Sequence, residues 1–341
     1  MREAMFWEKA GDGRVRCGLC RFGCLIPPGH RGRCGVRENR DGTLITLVYG
    51  RSVAEHVDPI EKKPLYHFHP GSRSYSVATV GCNLRCLHCQ NYEISQWPQH
   101  HTTIPGSELS PAAIVAGAQR SGCLSIAYTY TEPTIYFEYA YDTAVLARQA
   151  GIKNIFVTNG YITTAALEAI APYLDAANVD LKGFTEPFYR EVTGASLAGV
   201  LECLKDYRRL GIWLEVTTLL IPGLNDASNE LRDLAEFIAG SLGREVPWHL
   251  SAFHPTYRML DRPATPAATL QRAAAIGRQA GLCHVYLGNV VGAGGEDTFC
   301  SRCGEAVIER RGFRVLAMAV EDGRCRACGA AVAGVGMGAP G

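Results

Sequence analysis

Short apolar runs alternate with longer amphipathic windows through the middle of this chain. The runs lie at residues 76–80, 124–128, 154–157, 177–181, 213–220 and 248–253, with a seventh candidate at 284–287. Runs this short, rich in β-branched and aromatic residues, read as buried strands. The windows between them begin at Pro111 and continue at 134–149, 164–173, 198–210, 229–238 and 266–280. Ser110 before Pro111 supplies an N-cap followed by proline at the first helical position. Gly151, Gly211 and Gly281 each follow a window as a helix stop. Strand–helix alternation predicts an α/β fold with a parallel sheet and right-handed crossovers. Six such units predict a partial (β/α)6 barrel, since a closed eightfold barrel needs more chain. Periodicity alone leaves a doubly wound open sheet as the alternative.

The flanks follow another pattern. Residues 1–75 read as a cysteine-rich N-terminal head and linker, punctuated by Pro27, Pro28, Gly29, Gly32 and Gly35. Residues 44–49 alternate weakly and end at Gly50, which predicts a strand. The repeated units fill 76–297, a zinc-ribbon-like tail fills 298–332, and a Gly/Ala-rich end at 333–341 is expected to be disordered. His67 and His69 stand two apart and would share a face on a strand. A solvated pair is favoured over a metal or substrate pair.

Composition narrows the class. The chain has 341 residues, 47% hydrophobic and 20% charged, with 34 basic against 33 acidic side chains and a net charge of +1. These are the values of a soluble globular protein, and no charge run advertises nucleic acid or lipid. The first residues lack the apolar core of a signal peptide and no run is long enough to span a membrane, so a cytoplasmic location is expected.

Fourteen cysteines change the picture. Without a secretory signal, clustered cysteines read as metal ligands rather than disulfides. Cys82, Cys86 and Cys89 form C-x3-C-x2-C directly after the first run. A four-iron cluster takes four thiolates, so three leave one iron open to a cofactor or substrate. Zinc with a fourth ligand from elsewhere is the plainer alternative. Cys17, Cys20, Cys24 and Cys34 can close a zinc site or hold an auxiliary iron–sulfur cluster, zinc being favoured. Cys300, Cys303, Cys325 and Cys328 have the paired C-x2-C spacing of a zinc ribbon, with Val307, Ile308, Val315 and Leu316 fitting its hairpin. Truncation before Thr298 is expected to remove about one zinc and leave the rest of the protein working. Cys123, Cys203 and Cys283 read as small buried hydrophobes.

Polar residues collect where the runs end. Thr129-Tyr130-Thr131-Glu132-Pro133-Thr134 follows the second run and Thr158-Asn159-Gly160 the third. Asp180-Leu181-Lys182-Gly183 closes the fourth, Ile221-Pro222-Gly223-Leu224-Asn225-Asp226 the fifth, and Phe253-His254-Pro255 the sixth. Each alone reads as a cap or turn. In parallel α/β folds, sites gather at the C-terminal ends of strands, so six in register with a cysteine loop predict one cavity.

Taken in order, the cysteine loop and these motifs resemble the branch of radical S-adenosylmethionine (SAM) enzymes that includes pyruvate formate-lyase activating enzyme. The head, Tyr49-Gly50-Arg51 and Asp58-Pro59-Ile60-Glu61-Lys62-Lys63-Pro64 further resemble the radical SAM member of the AmmeMemoRadiSam system. The resemblance implies a [4Fe-4S] cluster on Cys82, Cys86 and Cys89, with SAM chelating its open iron. It places His88 near adenine and Glu132 at the SAM amine, and matches Asn159 to the Thr-Asn-Gly segment. Asp180 and Lys182 would reach the ribose and carboxylate, and His254 would lie near SAM. Tyr130 and Thr131 replace the family's two glycines before the acidic residue. Val157 replaces an Asp, so a cation site using that carboxylate is lost or altered. Implied partners are a reductant such as ferredoxin or flavodoxin and Memo-like and AMMECR-type proteins.

The implied function is reductive cleavage of SAM, release of a 5′-deoxyadenosyl radical and hydrogen abstraction from an unidentified substrate. No catalytic side chain is assigned beyond the cofactor ligands. The alternatives are a glycyl-radical enzyme activase acting on a protein partner and a non-catalytic multi-zinc scaffold. On the SAM reading, Glu132 contributes a charge-assisted bond. On the plainer reading it is an acid stabilising a helix N-terminus.

Overall fold

The computed structural model describes residues 2–290 and 294–338. The chain forms two compact units. The first comprises Met1–Asp58, Arg73–Asp175 and Gly199–Ile212; the second comprises Pro59–Ser72, Ala176–Ala198 and Trp213–Gly341.

In the first unit, β1 (Arg73–Ala78), β2 (Ser125–Tyr128) and β3 (Lys153–Thr158) lie parallel, with β2 in the centre. Ile126, Ala127 and Tyr128 of β2 are buried on both faces, as expected of a strand covered on each side. The crossovers carry α1 (Pro111–Arg120) and α2 (Phe137–Gln149). Ser110 caps α1 by accepting a bond from Ala113 N. A short 3-10 turn, Pro133–Tyr136, leads into α2, and Gly151 ends that helix at φ 74°, a conformation only glycine adopts cheaply. α3 (Thr164–Ile170) follows β3. The head is a set of small antiparallel ribbons. Trp7–Lys9, Val15–Cys17 and Leu25–Ile26 form one; Arg2–Glu3, Arg37–Arg40 and Thr43–Thr46 form another.

In the second unit, β4 (Ala176–Asp180), β5 (Trp213–Leu220), β6 (Trp248–Ala252) and β7 (Val285–Gly288) pair in sequence order, all parallel. α5 (Ser228–Phe237) and α6 (Ala267–Gln279) serve two of the crossovers; α4 (Leu197–Arg209), which precedes β5 in the chain, belongs mostly to the first unit. All seven apolar runs are therefore strands within a residue or three of their expected bounds. No helix among the described residues is long and apolar enough to cross a membrane.

The tail is not an appendage. β8 (Ala306–Arg311) and β9 (Arg314–Met318) form the expected hairpin, with Val307 and Ile308 buried. Arg310 leaves this hairpin and is buried in the second unit. It donates to Tyr66 O at 2.8 Å, Thr298 Oγ1 at 2.8 Å and Glu296 O at 3.2 Å, and its Nε lies 3.7 Å from Glu61. The expected disordered end is corrected for residues 333–338. Val335 N donates to His67 O, His69 N donates to Val335 O, and Met337 is buried. Residues 339–341 lie outside the described residues.

His67 corrects a second expectation, because it is fully buried rather than solvated. Its Nδ1 donates to Ala333 O at 2.6 Å and its Nε2 accepts from Tyr286 Oη at 2.5 Å. The Tyr286 hydroxyl in turn accepts from Thr298 Oγ1 at 2.8 Å, which accepts from Arg310. Burial, with His284 nearby, pushes the His67 pKa down to about 3. With the imidazole neutral, the bonds are satisfied by donors running from Arg310 through Thr298 and Tyr286 to His67. Glu215, also buried, accepts from Tyr66 N, His67 N, Trp213 Nε1 and His249 Nε2. Burial alone would raise its pKa; the bond and charge of His249 win, and it is lowered.

Candidate functional site

The cysteine loop starts where β1 ends. Gly81, at φ 104°, makes the turn, and a Cβ there would stand 2.8 Å from Val36 Cγ1 and 3.2 Å from Cys34 O. Only glycine allows the loop to lie this close to the head. The loop is held by its carbonyls. Arg85 Nη1 donates to Cys82 O at 3.0 Å and Leu84 O at 2.9 Å, and Arg33 Nε donates to Asn83 O at 3.0 Å. Gln96 Nε2 reaches Leu84 O at 3.3 Å. Cys89 Sγ lies 3.1 Å from Ser95 Oγ, and Leu84 N donates to Cys82 Sγ at 3.4 Å. Burial, then the nearby Glu132 charge, pushes the Cys82 thiol well above its ordinary value.

Asn159, at the end of β3, is brought to this loop. Its Nδ2 donates to Asn83 Oδ1 at 2.8 Å and lies 3.7 Å from Cys82 Sγ, while Tyr161 N donates back to its Oδ1 at 3.1 Å. Glu132 holds Asn159 from behind. Its Oε2 accepts from Asn159 N at 2.8 Å; its Oε1 accepts from Thr134 N at 3.0 Å, Thr134 Oγ1 at 2.5 Å and Thr158 Oγ1 at 2.7 Å. Glu132 is the N-cap of the 3-10 turn, as the plainer reading required, but it is only 1% exposed. Its carboxylate therefore orders the end of β3, a heavier structural task than stabilising a helix dipole. Burial pushes its pKa up, against the bonds from Asn159, Thr134 and Thr158.

Tyr130 stands where the resemblance expects glycine, and it adopts the glycine conformation, φ 63°. For a non-glycine residue this costs about 1–2 kcal/mol. Its hydroxyl bonds Asp58, which also accepts from Ser76 Oγ at 2.9 Å, and its carbonyl accepts from Asn91 Nδ2 at 2.7 Å. His88 is buried within the loop.

In the second unit, Asp180 and Lys182 form an ion pair, Nζ to Oδ2 at 2.8 Å, at the end of β4. Lys182 N donates to Tyr189 Oη, and Lys182 O accepts from Asn225 Nδ2 at 2.7 Å. Asn225 is buried and also accepts from Ile221 N, so the Leu-Asn-Asp segment braces the β4 and β5 ends. His254 is exposed, with Nε2 3.1 Å from Asn289 O.

The tail brings its four cysteines together. Cys300 Sγ lies 3.6 Å from Cys328 Sγ and Cys303 Sγ 3.8 Å from Cys325 Sγ; all four sulfurs fall within 4.8 Å of one another. Four thiolates about 2.3 Å from one zinc stand about 3.8 Å apart, so this set fits zinc. Cys123 and Cys203 are buried as expected, while Cys283 is partly exposed beside Glu245. Sequence reasoning missed Asn83, Arg33 and Arg85. Asn83 lies between two of the loop cysteines, which is a readable signal. Nothing local marks the arginines.

Comparison with known proteins settles the class. The model of the radical SAM superfamily matches residues 76–238. The chain carries a radical SAM domain. It is 47% identical over 331 residues to the uncharacterized protein MJ0808 of Methanocaldococcus jannaschii, covering 96% of this chain and 98% of that one, and belongs to the same family. It is 26% identical over 191 residues to a pyruvate formate-lyase-activating enzyme of Clostridium pasteurianum, covering 53% of this chain and 76% of that one. The crystal structure of Streptococcus suis SuiB bound to S-adenosylmethionine shares the fold, at TM-score 0.51 and 16% identity over 71% of this chain and 56% of that one. The radical SAM domain supports an enzyme and implies SAM and an iron–sulfur cluster. The loop fits such a group. It offers three thiols, and Asn83 Nδ2 beside Cys82 is buried without a hydrogen-bond partner, a donor that a sulfur cluster would satisfy.

Proposed function

We propose that this protein is a radical SAM enzyme that cleaves SAM reductively and abstracts hydrogen from a substrate still to be identified. The observation that carries the reading is the cysteine loop at the end of β1, held by arginines and faced by Asn159 and the unpaired Asn83 amide. Cys82, Cys86 and Cys89 would hold a [4Fe-4S] cluster, which with SAM supplies the electron and the 5′-deoxyadenosyl radical. The chain's own residues orient and neutralise. SAM carries an ammonium, a carboxylate and a sulfonium, and buried charge is costly unless paired. Lys182 and Asp180 are a ready cation and anion for its carboxylate and ribose; His88 and His254 are assigned to the adenine and to SAM's surroundings. Glu132, already accepting from four donors, acts through Asn159 in our reading. The parallel strands of each unit, in sequence order, support a partial (β/α)6 barrel. The tail cysteines would take structural zinc. A reductant of the ferredoxin or flavodoxin type is required, and Memo-like and AMMECR-type proteins are the proposed associates. The similarity to a pyruvate formate-lyase-activating enzyme favours, as a second reading, activation of a glycyl-radical protein partner. The test is anaerobic purification with iron and sulfide analysis and electron spin resonance of the reduced protein. Added SAM should change the spectrum and yield 5′-deoxyadenosine. A spectrum indifferent to SAM overturns the proposal.

A further inference from the structure

Arg33 and Arg85 hold the cysteine loop near its first thiol. The third thiol depends on other residues. Cys89 lies against Ser95, in the turn Tyr92–Ser95. That turn hangs on Asn91, whose carbonyl accepts from Ile94 N at 3.2 Å and Ser95 N at 2.9 Å. Ile94 O in turn accepts from Gly81 N at 3.0 Å, so the two ends of the loop meet. Asn91 is exposed, and its Nδ2 donates to Tyr130 O at 2.7 Å. A single hydrogen bond in reach of water exchanges readily with it and orders little by itself. This one orders the turn only if its acceptor is fixed.

Tyr130 O is fixed from two sides. Thr131 N donates to Thr129 O at 2.8 Å, which closes a three-residue turn with Tyr130 at its centre. With Tyr130 at φ 63°, this is the rare and strained form of such a turn. Thr131 Oγ1 staples the turn to Thr79 O at 2.8 Å. On the other side, the Tyr130 hydroxyl bonds Asp58 Oδ2. Asp58 is buried near the end of the strand Ala54–Pro59, which lies beside β1. Ser76 Oγ of β1 donates to the same oxygen at 2.9 Å. A strained residue persists where its surroundings over-determine it, and Asp58 and Thr79 supply that restraint.

We infer that Asp58 and Tyr130 are positioning residues for the cysteine loop. Asp58 holds Tyr130 in the strained turn, the turn presents its carbonyl to Asn91, and Asn91 sets the Tyr92–Ser95 turn against which Cys89 lies. The inference rests on the proposed function only for the metal that Cys89 would hold. The order of the loop is a property of the chain itself.

The test compares three variants at one position. Losing the anchor while keeping the strain should open the loop, and removing the strain should close it again. In the metal-free full chain, amide hydrogen exchange of Ile94, Ser95 and Gln96, read by mass spectrometry, should quicken about tenfold in Tyr130→Ala, the fold-change to which strain of this kind converts. Tyr130→Phe keeps the ring and the strain and loses only the hydroxyl, so it should quicken as much. Tyr130→Gly should exchange near the parental rate, because glycine takes this φ without strain. Were Tyr130 merely packed here, glycine would be looser than alanine, since it has more freedom to lose. Anaerobically reconstituted protein should give up iron to a chelator in the same order. Tyr130→Gly exchanging as fast as Tyr130→Ala overturns the inference, and so does Tyr130→Phe exchanging at the parental rate. Should Tyr130→Ala not fold, Tyr130→Phe and Tyr130→Gly decide. A parent protein that takes up no iron overturns the proposed function instead, and the order of exchange rates still decides this inference.

Discussion

Glu132→Gln is the sharpest probe of the site. The native carboxylate accepts from four donors, three on Oε1 and one on Oε2, and donates to none. A glutamine amide offers one oxygen and one NH2 group. With the oxygen in the Oε1 position, Thr134 and Thr158 keep their acceptor, and the NH2 meets Asn159 N–H. The opposite flip sets the NH2 against three donors. The cheaper arrangement still strands one buried backbone amide, costing about 1–3 kcal/mol. The bonds that remain lose their ionic partner and roughly half their strength. A loss of at least about 2 kcal/mol is therefore expected in urea unfolding of the metal-free protein. An acid merely placed near a helix terminus would cost only a few tenths to about 1 kcal/mol. The same change releases Asn159, whose amide faces Asn83 and Cys82, so SAM affinity of the reconstituted variant should fall too. A loss below about 0.5 kcal/mol would refute the account of Glu132 as the brace of β3.

The further outcomes concern the second unit. Arg310→Met leaves Glu61 buried without its cation and Tyr66 O without its donor, which should cost about 3–5 kcal/mol; a urea midpoint matching the parent would contradict this, and removal of the chain from Thr298 onward should give an unstable protein, not the separable tail expected from spacing. Because the folded pKa of His67 is depressed, the unfolded chain binds the extra proton, so stability falls as pH drops below 6.5, by about 1.4 kcal/mol per unit. The lowered pKa of Glu215 adds a loss in the same direction below 4.5. His67→Gln should flatten the upper part of that slope in thermal scans between pH 7 and 5.

The strands and helices were legible because their signals are local. Val, Ile and Leu runs ended by glycine need no partner to be recognised, and Gly151 and Gly281 stop helices through their own positive φ. The cysteine loop was legible because covalent spacing alone puts three thiols on one turn. What escaped depends on distant partners. His67 looks like an ordinary polar residue until Tyr286 and Ala333, 219 and 266 residues onward, close around it. Glu132 was singled out by motif, but its bonds to Thr158 and Asn159 depend on β2 and β3 lying side by side. The tail's spacing singled out the four cysteines that the fold brings together and said nothing of Arg310, whose partners come from residues 61–66 and 296–298.

The arginines tie these observations together. Three thiols on one short turn repel one another once ionised, and burial already holds Cys82 protonated beyond its ordinary range. Two guanidiniums sit against the loop's backbone. They do so through carbonyls, with Arg85 on Cys82 O and Leu84 O and Arg33 on Asn83 O. With those oxygens turned to the guanidiniums, the N–H of Leu84 is left to point at Cys82 Sγ. The loop is thus shaped for anionic sulfur before any metal arrives, which lowers the ordering cost of loading it. Arg33 is also the residue before Cys34, its carbonyl accepts from Arg85, and its guanidinium lies 4.4 Å over the Phe22 ring. The head therefore helps shape the loop through Arg33, so loosening Arg33 should loosen the turn that carries Cys82.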